Sequence, residues 1–224
     1  MMNGKIACNF GSSVGSKFSS IGNPLYFPGN TLICILDRDS DIWQFTAHTQ
    51  KELFELPVGK AMVALPDYSF HMTAIEGVCD QVRDEEHWTS LLPLDATLSK
   101  CNELFLNLLE HMPKFPVVNM RVDHLRVDSA CSLALYPDTW SDDYALREWR
   151  DEVGRLLGLR FPSHDRYGFH IGLGYGLRRL DETEESSIAG FKERFDKASA
   201  EQRLIFQPPS PTFSMFDNMF SFGR

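Results

Sequence analysis

At 224 residues, the chain suits one large domain or two small lobes. Hydrophobic residues make up 43%, which excludes wholesale disorder, and 17 Phe supply material for a packed core. With 22 basic against 31 acidic residues the net charge is −9, so duplex DNA and long RNA are disfavoured as partners. A small phosphate ester held in a locally positive cleft is compatible with that balance.

Residues 1–30, rich in Gly, Ser, Asn and Pro, read as an irregular N-terminal arm. Met1 to Ser20 contains Lys5 but no apolar run, which argues against a secretory signal. No stretch approaches the ~20 apolar residues of a membrane span. Thr31 to Leu36 is a short apolar run that suits a buried strand. With Asp39 and Asp41 as candidate caps, Ile42 to Leu56 reads as a helix ending before Pro57. Lys60 to Leu65 and Ser69 to Ile75 read as strands separated by Pro66-Asp67.

Asp95 is placed to cap a helix over Leu98 to Met112, and Val117 to Val127 with Ala130 to Tyr136 read as an antiparallel pair. A helix from about Asp142 to Leu157 has Gly158 as its stop. Tyr167 to Tyr175 is a strand, Glu182 to Ala200 a helix and Arg203 to Gln207 a strand. The segment from Pro208 to Phe222 is too apolar for a free tail and packs back as an edge strand and turn. Interspersed strands and helices with several hairpins indicate an α+β fold, and no linker divides it. Cys8, Cys34, Cys79, Cys101 and Cys131 are scattered without a CxxC pair. Neither a disulfide framework nor a structural zinc site is readable, and a reduced, cytoplasmic protein is the default.

One internal echo carries the functional reading. Tyr68-Ser-Phe-His-Met-Thr-Ala-Ile-Glu-Gly77 overlays Tyr167-Gly-Phe-His-Ile-Gly-Leu-Gly-Tyr-Gly176 at a constant offset of 99 residues, matching Tyr68/Tyr167, Phe70/Phe169, His71/His170 and Gly77/Gly176. Side chains alternate along a strand, so Phe70, Met72 and Ala74 face a core while His71 and Thr73 face away. Phe169, Ile171 and Leu173 likewise oppose His170 and Gly172. Either histidine alone is most simply a hydrogen-bonded sheet residue; the pair in matching frames points to a shared site. One neutral imidazole can take a proton from a nucleophile while one protonated imidazole donates to a leaving oxygen, and an ordinary pKa near 6.5 suits His to either part. Thr73 can donate its hydroxyl hydrogen to a phosphoryl oxygen. The scheme needs no metal or other cofactor.

The paired His-x-Ser/Thr pattern resembles the two-histidine (2H) phosphoesterases, the superfamily of bacterial RNA 2′,3′-cyclic phosphodiesterases once called 2′-5′ RNA ligases. The nearer resemblance is to an uncharacterised branch found in bacteria and fungi. Its marks are Gly29-Asn-Thr31, Ser69 to Gly77 with Val78-Cys-Asp80, His164-Asp165, Phe169-His-Ile171 and Phe213 to Phe220. The resemblance implies a bilobal α+β domain over 31–224, with pseudo-twofold-related antiparallel sheets, outer helices and a central groove. It also implies a metal-independent phosphodiesterase acting on a small nucleotide, cyclic phosphate or 2′-5′ linkage, with RNA ends among its partners, and working as a monomer. His71 and His170 would be the acid/base pair and Thr73 a phosphate-binding hydroxyl. Gly172 departs from the pattern, standing where a Ser or Thr is expected. The alternative is therefore a phosphate- or nucleotide-binding protein with impaired turnover.

Other residues are candidates for the groove. Arg121, and less so Arg126, could enter it and hold phosphate as a fixed cation. Tyr167 and Tyr68 could stack on a base, although pre-strand aromatics are more often packing residues. His164 and Asp165 on a turn after Pro162 suit a loop role, and a zinc site built from them with His170 lacks a familiar spacing. Gly172-Leu-Gly-Tyr-Gly176 lacks the GxGxxG register and is better explained by close strand approach or room for a ligand. A third reading makes the Phe-rich end a protein-docking surface.

Overall fold

The structure is a computed structural model, and it describes residues 11–222. Cys8 and the first ten residues of the arm lie outside that range. The elements are β1 (Gly29–Ile35), α1 (Asp41–Glu55), β2 (Met62–Ala64), β3 (His71–Cys79), α2 (Leu98–Leu109) and β4 (Met120–Val127). They continue with β5 (Ala130–Pro137), α3 (Trp140–Leu157), β6 (His170–Gly176), α4 (Glu182–Gln202), β7 (Ile205–Phe206) and β8 (Thr212–Phe216).

Local chemistry sets the helix ends. Ser40, between the two candidate aspartates, caps α1 by accepting from the Trp43 N–H. Thr97, not Asp95, does the same for α2, its hydroxyl meeting the Lys100 amide. Thr139 and Asp142 form a reciprocal capping box that starts α3 earlier than the sequence pattern suggests. Gly158, at φ 64°, ends α3 in the left-handed conformation that a Cβ disfavours. Asp181 and Glu184 form a second box at α4, so that acidic run is helix-capping chemistry.

The fold is α+β, with one curled, antiparallel eight-stranded sheet in the order β7-β4-β5-β6-β3-β1-β8 and β2 paired to β6. β2 and β3 are neighbours in sequence but do not pair; a short 3-10 turn over Asp67–Ser69 separates them. The apolar chain end returns as the edge strand β8 against β1. At the centre, β3 and β6 meet in register at one pair, Met72 opposite Ile171. Cys34 lies beside Met72, and Leu133 beside Ile171. All four side chains are fully buried, at 0% exposure. The main core lies on this side, where residues of α1, α3 and α4 pack on the strands.

A smaller cluster on the opposite side joins Phe18 and Phe27 of the N-terminal arm, Met219 of the C-terminal turn and Leu65, which follows β2. Phe18 is completely buried, contacting the rings of Tyr175 and Phe220. Burying such a side chain contributes about 1.5–3 kcal/mol toward holding the arm on the sheet. Cys34, Cys79, Cys101 and Cys131 are free thiols. Among the described residues no helix is long and apolar enough to cross a membrane.

Candidate active site

Antiparallel register around the Met72–Ile171 pair puts Thr73 opposite His170 and His71 opposite Gly172. Because those four positions alternate with buried ones, they share the face away from the main core. Beyond them each strand carries a bulge. Between Leu32 and Ile33 the partners on β3 jump from Ile75 to Thr73, leaving Ala74 as the extra residue. Between Cys131 and Ser132 the partners on β6 jump from Gly174 to Gly172, leaving Leu173. Ala74 and Leu173 are separated by the same spacing as the two histidines. A bulge reverses the alternation, so Glu76 and Tyr175 join the face that carries the histidines.

Helices behind the sheet hold both bulges. Buried Arg150 of α3 donates to the Ala74 carbonyl, with its guanidinium 4.4 Å from the Tyr167 ring centre. Gln50 of α1 donates to the Leu173 and Leu65 carbonyls, both at 2.8 Å. These donors supply polar partners where the ladder is interrupted.

The result is a cavity of about 290 Å³ lined by His71, His170, Thr73, Gly172 and Tyr167. Four further aromatic rings, Phe27, Tyr175, Phe216 and Phe222, stand among its walls, with Lys17 and Glu76 as the charged groups. Two wider clefts, of about 940 and 1020 Å³, contain neither histidine. Sequence reasoning missed Lys17 and Phe222, which reach the cavity from the two chain ends.

The two imidazoles are held alike. His71 Nδ1 lies 2.5 Å from the Ser69 carbonyl oxygen, and His170 Nδ1 lies 3.0 Å from that of Gly168. A carbonyl only accepts, so each Nδ1 carries the hydrogen and each Nε2 is left for other chemistry. Their surroundings differ. The Phe222 ring covers His71 at 4.9 Å between centres, and Phe216 backs Phe222 at 4.6 Å. Burial pushes the His71 pKa down to about 4; the Ser69 bond opposes that shift and the nearby His170 charge adds to it. Thr73 and Tyr167 share a hydrogen bond, and burial holds the Tyr167 phenol above its ordinary range.

Arg121 does not reach the cavity: it pairs with Asp123 at 3.1 Å and lies over Tyr136. Arg126 packs by the loop before His170, 3.4 Å from where a Cβ on Gly168 would sit, without lining the cavity. Tyr68 instead donates from its hydroxyl to the Phe220 carbonyl at 2.9 Å. A Cβ at Gly172 would make one tight contact, 3.1 Å from Leu65 Cδ1. At Gly174 a Cβ would meet the Val63 carbonyl oxygen at 2.5 Å, so close approach of β2 explains that glycine.

His164 and Asp165 come together with Asp151 rather than with His170, their ligand-type atoms lying within 4.8 Å of one another. None of the three lines the cavity. Arg160 reaches both carboxylates, at 2.6 Å to Asp165 and 3.4 Å to Asp151, and supplies the positive charge there. This His/Asp cluster near the sheet is compatible with phosphoester chemistry in general. Ser163 links the same turn to Glu76 of the cavity wall at 2.8 Å.

The family model 2H-phosphodiest, described as a domain of unknown function (DUF1868), matches residues 17–131. Among solved structures, the chain is similar to the conserved protein of unknown function ATU0111 from Agrobacterium tumefaciens strain C58. That match has 28% identity and a TM-score of 0.85, covering 92% of this chain and 88% of that one. No match was found among curated proteins.

Two outcomes are expected from this geometry. An NMR titration of His71 should give a midpoint near pH 4, and Phe222→Ala should raise it toward the ordinary value of about 6.5. The folded state then binds fewer protons than the unfolded one, so stability from this group is complete above pH ~6.5 and declines as pH falls toward 4. A midpoint indifferent to Phe222→Ala would remove that ring as the cause. Gly172→Thr should cost about 1–3 kcal/mol by overpacking against Leu65. Denaturation of Gly172→Thr with Leu65→Ala should show less than additive loss; strict additivity would mean that Leu65 is not the obstacle.

Proposed function

The chain belongs to the 2H-phosphodiest family, the domain of unknown function DUF1868, and from that premise we propose a metal-independent phosphodiesterase acting on a small nucleotide, cyclic phosphate or 2′-5′ linkage. The observation that carries the proposal is one cavity holding two histidines whose Nδ1 atoms are both engaged by the carbonyl two residues earlier. The aromatic walls favour a substrate that carries a nucleobase.

In this reading residues 31–224 form two lobes related by a local twofold through Met72 and Ile171. The matched bulges, and the helical donors Gln50 and Arg150 behind them, support it.

His71, neutral at pH 7 with a pKa of about 4, takes the proton from an attacking water. A new O–P bond forms as the P–O bond to the leaving oxygen breaks, and protonated His170 gives its Nε2 proton to that oxygen. A cyclic phosphate thereby becomes a phosphomonoester. The Thr73 hydroxyl, on the same face as both histidines, donates its hydrogen to a non-bridging phosphoryl oxygen when substrate is bound. Arg121 takes no part.

One observation favours the second reading, a phosphate-binding protein with weak turnover. Position 172 is a glycine, so β6 offers the cavity no hydroxyl equivalent to that of Thr73 on β3.

Turnover of 2′,3′-cyclic nucleotides, 3′,5′-cyclic nucleotides and 2′-5′ oligomers separates the readings. For the enzyme, His71→Ala and His170→Ala each lower the rate by roughly 10²–10⁴-fold, and chelators leave it unchanged. The base must be unprotonated, so kcat/KM rises with pH through about 4. Turnover that survives both substitutions would place the chemistry elsewhere; binding without turnover in the native protein would favour the second reading.

A further inference from the structure

We propose that Lys17 is an anchor for a second anionic group, so that the preferred ligand carries a phosphomonoester besides the phosphate held at the histidines. This rests on the phosphodiester reading above and extends it to substrate class. Lys17 lies in the Gly- and Ser-rich arm, tied down on either side by its neighbours. Its own amide donates to the Ser13 carbonyl at 2.9 Å, and its carbonyl accepts from the Leu25 amide at 2.9 Å. The next residue, Phe18, is fully buried. The backbone of a seemingly irregular arm is thus fixed at the point where Lys17 departs from it.

The side chain runs into the cavity that holds both histidines. Its ammonium stands 5.1 Å from the Tyr175 ring centre and 5.4 Å from that of Phe27. Two aromatic faces orient a cation without neutralising it. No carboxylate among the described residues lies within ion-pair distance of Lys17. Lys17 is thus a half-buried cation without an acidic partner among the described residues, in a chain of net charge −9. Glu76, the acid that shares the cavity, accepts instead from Ser163.

Lys17 does not stand at the seam where the two histidines meet. The groups around it are Tyr175, five residues along β6 from His170, and Cys79, six residues along β3 from Thr73, together with Phe27. Histidines and Thr73 address one phosphate at the seam, and Lys17 presents a separate positive charge at the rim. A nucleotide with a second phosphate on its other side satisfies both, with its base or ribose against the aromatic walls between them. An ammonium is a point charge that needs no bidentate geometry, which suits a terminal phosphate.

Calorimetric binding of adenosine 3′-monophosphate and adenosine 3′,5′-bisphosphate tests this on the intact protein. The bisphosphate should bind roughly 10- to 150-fold more tightly, the usual weight of one hydrogen bond to a charged group. That advantage should shrink with added salt. Lys17→Met should abolish the difference while leaving monophosphate affinity within about twofold, and Lys17→Arg should restore it. Equal affinities in the native protein, or a Lys17→Met variant that keeps the difference, would overturn the inference while sparing the phosphate site. Failure of both ligands to bind would overturn the inference and the phosphate reading together.

Discussion

The Met72–Ile171 contact is the constraint from which the site follows. It is the one registered pair between β3 and β6, and it is fully buried, flanked by Cys34 and Leu133 in a dry row across four strands. A one-residue slip would turn apolar side chains out and histidines in, so burial of this row fixes which way His71 and His170 face. It also fixes their diagonal relation, each beside the other strand's second motif position. The bulges at Ala74 and Leu173 then add Glu76 and Tyr175 to the same face. Bulge carbonyls carried toward the helices meet Arg150 and Gln50, which ties the site's backbone to the main core.

What the central pair makes alike, the chain ends make different. The arm places Phe18 and Lys17 on the open face, and the C-terminal turn places Met219 and Phe222 there. Phe222 covers His71, and burial lowers its basicity. His170 is touched by Tyr167, at 6.3 Å between ring centres, and otherwise faces more open surroundings. Two residues of one type are thereby given unequal surroundings, and the covered one, His71, is the one whose pKa burial lowers.

Much of this was legible in the sequence because it depends on local pattern. The alternation of Phe70, Met72 and Ala74 with His71 and Thr73, and the helices, follow from periodicity and end signals. So does the edge strand from the apolar chain end. Features set by pairing were not legible. The bulges need to be known from the partner strand, although Gly172 and Gly174 inside a strand were a usable hint of one. Arg121 has the right charge on a plausible strand, yet Asp123 two residues on and the Tyr136 ring across the ladder hold it elsewhere. Lys17 reaches the cavity from a Gly- and Ser-rich arm that gives no sign of it, and the apolar end that carries Phe222 was legible as packing back but not as covering a histidine. The caps at Ser40 and Thr97 were displaced from nearby aspartates, a difference of one or two residues that only backbone geometry decides.

The measurement that tests the account most directly is a crystal structure of the native protein soaked with orthovanadate, a mimic of phosphoryl transfer. The account predicts one vanadate in the cavity, within hydrogen-bond distance of Nε2 of both His71 and His170 and of the Thr73 hydroxyl. Vanadate bound at the Arg160 cluster with the cavity empty, or bound by one histidine while the other ring points away, would contradict it.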